Sequence, residues 1–356
     1  MKNNRFILLI SLIVIFFSSL SANAFPDAFK ICPENSEAII YLDVRAFREY
    51  TVKSGIAEGF KNQITKIKEL STIDLLKDIN FFTAILTNIS NYRLSKNPEG
   101  AFIFEGYFRI SDIEAKLNAA GLKSEQLENI KMIKLDANVY LALLSEKFIM
   151  YGNLSEIKAI SALISAKEKA SAEKNLFFNA EINAPDIADK KFMALVKLPK
   201  ILSDLASAIA KLNKEQAVFA GLDGFVMAVS GSEFFFKYIY QTKDDAAKGA
   251  VAAKEFMENG FNQIASNAKK LTGSQLDATK VKIERVNFIK NGLALILKIR
   301  ETMKIEQKEK GVFIKFDLGK AGKEAEEMSR SLADAFIASL VKQDAKAADS
   351  SKTSGN

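Results

Sequence analysis

The chain has 356 residues, of which 48% are hydrophobic and 26% are charged, values typical of a globular protein with a packed core. The 50 basic and 43 acidic residues leave a mild net charge of +7 that is spread along the chain, which argues against a nucleic-acid partner. Histidine is absent, which excludes histidine general bases, Ser-His-Asp and Cys-His nucleophiles and histidine metal sites.

Residues 1–24 have the pattern of a cleavable secretory signal peptide. Lys2 and Arg5 supply positive charge, an apolar stretch follows as far as Leu20, and small side chains occupy Ala22 and Ala24. We therefore predict cleavage after Ala24 and a periplasmic or secreted protein. An uncleaved anchor is the weaker alternative, because the apolar stretch of about 15 residues is shorter than the roughly 20 that a membrane-spanning helix needs.

Cys32 is the only cysteine in the chain. The protein cannot form an internal disulfide and must depend on its hydrophobic core for stability. Two roles remain for the thiol, a buried apolar side chain or a bridge between two chains, and we favour the first.

The first half of the mature chain, residues 25–170, predicts an α+β domain from its alternating short apolar runs and amphipathic stretches. The predicted elements are a strand at 38–44, one or two helices at 45–70, a hairpin of 81–90 with 101–108, a helix from Ser111 to Gly121, strands at 131–135, 139–145 and 147–151, and a helix from Ser155. The helix at Ser111 rests on a capping box formed with Glu114, and Gly121 is its predicted C-terminal stop.

The second half, residues 175–342, predicts the same order of elements, which suggests a duplication. Its predicted elements are a strand at 191–199, a helix at 201–212, a hairpin of 224–230 with 233–240, a helix at 245–271, strands at 281–289, 292–305 and 311–318, and a helix at 324–341. Similar LAL segments at 141–143 and 293–295 support the match. Residues 343–356 are predicted to form a disordered tail.

Ser155 and Lys158 have the Ser-x-x-Lys spacing of Ser-Lys hydrolases. A helix N-cap explains Ser155 more simply, because it follows Gly152 and Asn153 and precedes an apolar helical pattern. Among the acidic residues, Asp43 and Asp136 are better explained as turn and capping residues than as catalytic groups. No pattern of a calcium loop, a paired-carboxylate glycosidase or a clustered metal site is present, and we predict no catalytic, metal or cofactor residues.

Three aromatic runs could line an apolar ligand cavity: Phe81-Phe82, Phe177-Phe178 and Phe234-Phe235-Phe236. Adjacent residues of a strand point to opposite faces, so a sheet that is covered on both sides explains them better. The segment from Gly221 to Gly224 lacks the downstream glycine of a phosphate-binding loop and predicts a turn into a strand.

Three features together resemble secreted bacterial α+β proteins that carry a duplicated domain of unknown function. They are the turn at Pro33 before a strand ending in Asp43-Val44, the strand 101–108 that leads into the helix at Ser111, and a tight hairpin followed by Tyr151-Gly152-Asn153. The resemblance implies no catalytic residues.

The sequence therefore predicts an α+β fold of two similar halves, each a mainly antiparallel sheet packed with amphipathic helices. We expect an exported, non-enzymatic envelope or extracellular protein that binds a partner protein or an apolar ligand, without a cofactor, nucleic acid or stable membrane span. Two alternatives stay open: a hydrolase using carboxylates or a Ser-Lys pair, and a structural component of a surface assembly.

Overall fold

The computed structural model describes residues 32–46, 48, 68–69, 72–74, 77–87, 100–127, 130–136, 138–165, 175–182, 184, 191–212, 214–230, 233–273, 291–292, 294–317 and 319–321. Several predicted segments lie outside these residues. They are the signal peptide, most of the helix at 45–70, the strand at 281–289, the helix at 324–341 and the tail.

Twelve strands of the described residues form one antiparallel sheet. The strands are β1 (Ala38–Asp43), β2 (Ile79–Leu86), β3 (Gly100–Gly106), β4 (Ser124–Leu127), β5 (Ile130–Asp136), β6 (Val139–Leu143), β7 (Phe148–Asn153), β8 (Phe192–Lys197), β9 (Leu222–Ser230), β10 (Glu233–Tyr240), β11 (Lys304–Lys308) and β12 (Gly311–Asp317). Their order across the sheet is β11-β12-β10-β9-β8-β1-β2-β3-β7-β6-β5-β4. The chain is therefore α+β with a large antiparallel sheet.

The first strands of the two predicted halves meet in the middle of this sheet. β1 and β8 pair antiparallel, with Ala38 opposite Val196 and Leu42 opposite Phe192. The hydrogen-bonded sheet is thus continuous from one half to the other.

Six helices with at least seven consecutive described residues accompany the sheet. They are α1 (Ile110–Ala119), α2 (Leu154–Ser165), α3 (Leu176–Ile182), α4 (Lys200–Leu212), α5 (Lys243–Gly273) and α6 (294–302), with a 3₁₀ helix at Lys214–Phe219 and another at Gly319–Ala321. Residues 44–46, 48, 68–69 and 291–292 are helical as well. None of the described helices combines the length and hydropathy needed to cross a bilayer.

Helices pack on both faces of the sheet. One face carries α1, α5 and α6, whose Leu117, Ala253 and Leu295 join core clusters with the strands. The other face carries α2 through Ile157 and α3 through Phe178. The central strands, such as β1, β2 and β8, therefore bury side chains on both sides, which is why they are apolar runs without strict alternation.

Both predicted hairpins are confirmed, as β2 pairs with β3 and β9 with β10. The predicted strand at 292–305 is wrong over most of its length, because residues 294–302 are helical and only Lys304–Lys308 is a strand. Ala294 and Leu295 of the second LAL segment therefore lie in a helix, whereas the first segment lies in β6. The strand β4, the helix α3 and the first 3₁₀ helix were not predicted.

Of the two predictions for the ends of α1, one is wrong and the other is confirmed. The predicted cap at Ser111 is wrong, because the helix already begins at Ile110 and Arg109 precedes it without a side-chain cap. The predicted stop at Gly121 is confirmed. Gly121 has φ of +85°, its N–H donates to Asn118 O, and the Leu122 N–H donates to Leu117 O, which is the Schellman pattern.

Candidate interaction surface

Helix α4 is attached to the protein by its small and polar side. The buried Ser203 hydroxyl donates to the carbonyl oxygen of Leu222 at the start of β9, over 2.6 Å. One turn later the Gly221 N–H donates to the Ser207 hydroxyl, and Ala210 is also buried. Small side chains and hydroxyls therefore face inward, and the helix lies close to the backbone of the strand.

The opposite side of α4 exposes three large aliphatic residues, Ile201, Leu205 and Ile209, which we call the α4 stripe. Their exposed fractions are 72%, 54% and 40%. They recur at positions i, i+4 and i+8, so they form one continuous line along the helix. The arrangement is the reverse of a usual surface helix, whose apolar line faces the core.

The hydrophobic clusters confirm that α4 is set apart from the interior. Four buried clusters fill the described part of the molecule, and none contains a residue of α4. By contrast, α2 contributes Ile157 and Ile160 to its cluster, and both are fully buried. The apolar side chains of α4 thus contribute little to the folded core.

Helix α3 also lies near the end of β8, three residues before α4 begins. The ring of Phe177 in α3 packs against Gly224, which pairs with Lys197 at the end of β8. Leu176, the neighbour of Phe177, is 76% exposed. Lys197 and Lys200 are also exposed at this end of the sheet, so apolar side chains and positive charge occur together there.

The stripe can supply only part of the free energy of a complex. Burying a whole Ile or Leu side chain stabilises by about 1.5–3 kcal/mol, and the exposed fractions amount to fewer than two whole side chains, so covering the stripe contributes roughly 2–5 kcal/mol. Association itself costs about 4–15 kcal/mol. Tight binding at this surface therefore needs a second source of attraction, and a purely apolar probe should bind only weakly.

A cavity of about 350 Å³ lies in the first half, between the segment around Asp74 and the start of α1. Its walls hold Lys68, Asp74, Arg109 and Asp112, and these charges pair with one another: Lys68 Nζ is 3.0 Å from Asp74 Oδ2, and Arg109 Nη1 is 3.9 Å from Asp112 Oδ2. Because these two ion pairs neutralise their own charges, they do not indicate a particular ligand for the cavity.

Ser155 and Lys158 both lie in the first turns of α2. The helix begins at Leu154, so Ser155 is its second residue and not its N-cap, and that prediction is wrong. Ser155 is exposed on the surface, and neither residue lines the cavity described above.

Asp43 is a helix cap, as predicted. One carboxylate oxygen of Asp43 accepts hydrogen bonds from the N–H groups of Arg45 and Ala46, and the Arg45 guanidinium pairs with the same carboxylate at 3.2 Å. Asp136 is the last residue of β5. Within the described residues, no three acidic or cysteine side chains converge as a metal site requires.

The aromatic runs are core residues of a sheet covered on both sides. Phe234 and Phe236 pack in the cluster beneath α5, whereas Phe235 packs in the cluster that contains α3. Phe81 and Phe82 also separate to opposite faces. Phe177 and Phe178 lie in α3, so they are helical neighbours and not a strand pair. The turn at Gly221, with φ of +70°, leads into β9 as predicted.

Cys32 is fully buried, as the sequence favoured. Burial raises the pKa of its thiol to about 12, and the thiol donates a hydrogen bond to the carbonyl oxygen of Pro33 at 3.5 Å. The thiol is therefore protonated and unreactive in the folded protein at neutral pH.

Comparisons with known proteins add little to this description. No family model matches the chain, and no curated protein matches it. Among solved structures, it is similar to crystal form I of TP0453, with a TM-score of 0.37 and 11% identity, over 87% of this chain and 98% of that one. A TM-score this low establishes neither a shared fold nor a shared function.

The α4 stripe is the feature that sequence reasoning missed. The helix itself was predicted at 201–212, but the prediction did not state which of its sides is exposed. The sequence does contain a signal: Ser203, Ser207 and Ala210 form a small-residue line opposite the stripe. A helix with a small polar line can dock by that line, and the aliphatic side is then left outside.

Proposed function

We propose that this protein is an exported, non-enzymatic envelope or extracellular protein that binds an apolar partner through the α4 stripe. The carrying observation is the reversed orientation of α4, with Ser203 bonded inward and Ile201 and Leu205 largely exposed. Exposing aliphatic side chains in a line has no benefit for folding, and lines of this kind mark interaction surfaces.

Binding of a simple apolar probe tests the proposal. A nonionic alkyl amphiphile, titrated as monomers by calorimetry, is expected to bind saturably to the purified protein. The double variant Ile201→Ser with Ile209→Ser should weaken binding roughly tenfold or more, because it removes most of the exposed aliphatic surface. Tyr107→Ser removes an exposed ring in the first half and serves as the control. Equal binding by all three proteins would contradict the proposal.

Export is supported by the charge, apolar stretch and small residues of the first 24 positions. N-terminal sequencing of the exported protein should return Phe25 as the first residue. A chain that begins at Met1 would contradict cleavage.

We also infer that the two halves, 25–170 and 175–342, arose by duplication. Counted outward from the centre, the strand orders are β1-β2-β3-β7-β6-β5-β4 in the first half and β8-β9-β10-β12-β11 in the second, so β5 and β4 have no counterpart among the described strands of the second half. In each half a helix follows the third strand, and the chain then returns to pair its last strand beside that third strand. The mismatched LAL segments give no support. Superposition of β1–β7 on β8–β12 in an experimental structure tests the inference, and sheets that fail to align would refute it.

A further inference from the structure

We propose that the partner of the α4 stripe is the surface of an anionic phospholipid bilayer, on which α4 lies parallel to the membrane plane. This inference rests on the proposed function, since it names the apolar partner of the same surface. It requires peripheral attachment by one side of a helix and no crossing of the bilayer.

The polarity of α4 suits a membrane interface. Ile201, Leu205 and Ile209 point away from the protein, and the exposed polar residues Lys200 and Asp204 flank them. A helix of this kind has a strong apolar side and a polar remainder, which is the pattern of helices that rest at the boundary of headgroups and acyl chains. Its inward hydroxyl contacts leave the aliphatic side free to enter that boundary.

Charge at the start of α4 selects an anionic surface. Lys200 is the first residue of the helix, and the first turn contains no acidic residue. A cation is disfavoured at that position by the helix dipole, so Lys200 does not serve the stability of the helix. Lys197 is exposed just before it, and within the described residues neither lysine forms an ion pair. Both ammonium groups can therefore attract lipid phosphates, against the carboxylate of Asp204, which is the one acidic residue of α4.

The size of the surface argues against a second copy of the chain as the occupant. A helix of 13 residues is about 20 Å long and roughly 10 Å wide, so its outer side covers about 200 Å². A stable dimer buries about 800 Å² on each partner. Binding to a bilayer does not need a matching contact area of this size, because acyl chains and negatively charged headgroups are present over the whole membrane surface.

Vesicle flotation with matched variants tests this inference. The purified protein is mixed with vesicles of phosphatidylcholine alone or of equimolar phosphatidylcholine and phosphatidylglycerol. Binding should be roughly tenfold or more stronger to the anionic vesicles and should fall with added salt. Lys197→Gln with Lys200→Gln should lose that preference while keeping the affinity for nonionic amphiphile monomers. Ile201→Ser with Ile209→Ser should lose both. All variants share one N-terminus, so a retained signal segment contributes equally, and circular dichroism confirms their folding.

The outcomes separate the two proposals. Amphiphile binding at the stripe without vesicle binding, or equal binding to both kinds of vesicle, would overturn the lipid inference and leave the proposed function standing. Light scattering that shows a dimer for the original protein and a monomer for the Ile201→Ser, Ile209→Ser variant would also overturn the lipid inference, because the stripe would then bind a second copy of the chain. If the unmodified protein bound neither vesicles nor amphiphile monomers, the proposed function itself would be refuted.

Discussion

Ser203 donates a hydrogen bond from its buried hydroxyl to the backbone carbonyl of Leu222, and this bond holds the serine side of α4 against the start of β9. Gln241 Nε2 also donates to the Ser203 hydroxyl, at 3.3 Å. The serine therefore links α4 to the start of β9 and to the residue that follows β10.

Ser203→Ala should reduce the free energy of unfolding by about 1–2 kcal/mol, because it removes a buried hydroxyl and its bond to Leu222. Chemical denaturation measures the change. Ser155→Ala is the matched control: that serine is exposed in the first turn of α2, and its removal should change stability by less than about 0.5 kcal/mol. Equal losses in both variants would show that the Ser203 contact is not structural.

The stripe should be dispensable for folding. Ile201→Gln combined with Leu205→Gln is expected to leave the free energy of unfolding within about 1 kcal/mol of the original value, because both side chains are already largely in water. Ile160→Ala in α2 removes a fully buried side chain and should cost about 2–5 kcal/mol. A comparable loss in the stripe variant would mean that its residues are part of the core.

Lys237 and Glu181 form an ion pair at 2.7 Å that joins β10 to α3, with only 13% and 12% of their side chains exposed. Lys237→Met should destabilise the protein by roughly 2–4 kcal/mol, because it leaves a largely buried carboxylate without its partner. Adding Glu181→Gln should recover part of the loss. A double-mutant cycle by thermal denaturation measures the coupling, and additive effects of the two changes would contradict it.

Because of Cys32, the free energy of unfolding should decrease at alkaline pH. The pKa of its thiol is raised from 9.0 to about 12 on folding, so the unfolded chain releases this proton first and the thiol's contribution is lost as pH rises from about 9 to about 12. The stability advantage over Cys32→Ala should shrink across that range. A constant difference in the free energy of unfolding between the original protein and Cys32→Ala across this pH range would contradict the burial of Cys32. Rapid labelling of the folded protein by a thiol reagent at neutral pH would also contradict it.

The sequence predicted the elements whose local pattern and tertiary packing agree. The hairpin of β9 and β10 is one, since apolar strands with turn residues at both ends allow little else. The segment at α6 was misassigned because its aliphatic residues alternate in sequence. In the structure Leu295 and Ile299 are buried while Leu297, midway between them, is 41% exposed. Buried residues thus recur at a spacing of four, which is helical. Only the packing of this segment with α5 distinguishes a helix from a strand here.

The candidate surface could not be predicted from amphipathicity, because a helix pattern does not state which side faces inward. At α4 the decision comes from distant residues. Gly221 and Leu222 present backbone groups that Ser207 and Ser203 can satisfy, and this contact turns the aliphatic side outward. The small-residue line of α4 permits this orientation, but only its contacts with Gly221 and Leu222 establish it.

The most direct test of the outward stripe uses a single tryptophan, since the chain has none of its own. Leu205→Trp places the reporter on the stripe, and Tyr107→Trp places a control on an exposed site in the first half. The account predicts that iodide quenches both indoles in the free protein, and that anionic vesicles shift the emission of Trp at position 205 to the blue and protect it from iodide, with no change at position 107. Blue-shifted, quencher-resistant emission from position 205 in the free protein would contradict the outward orientation of α4.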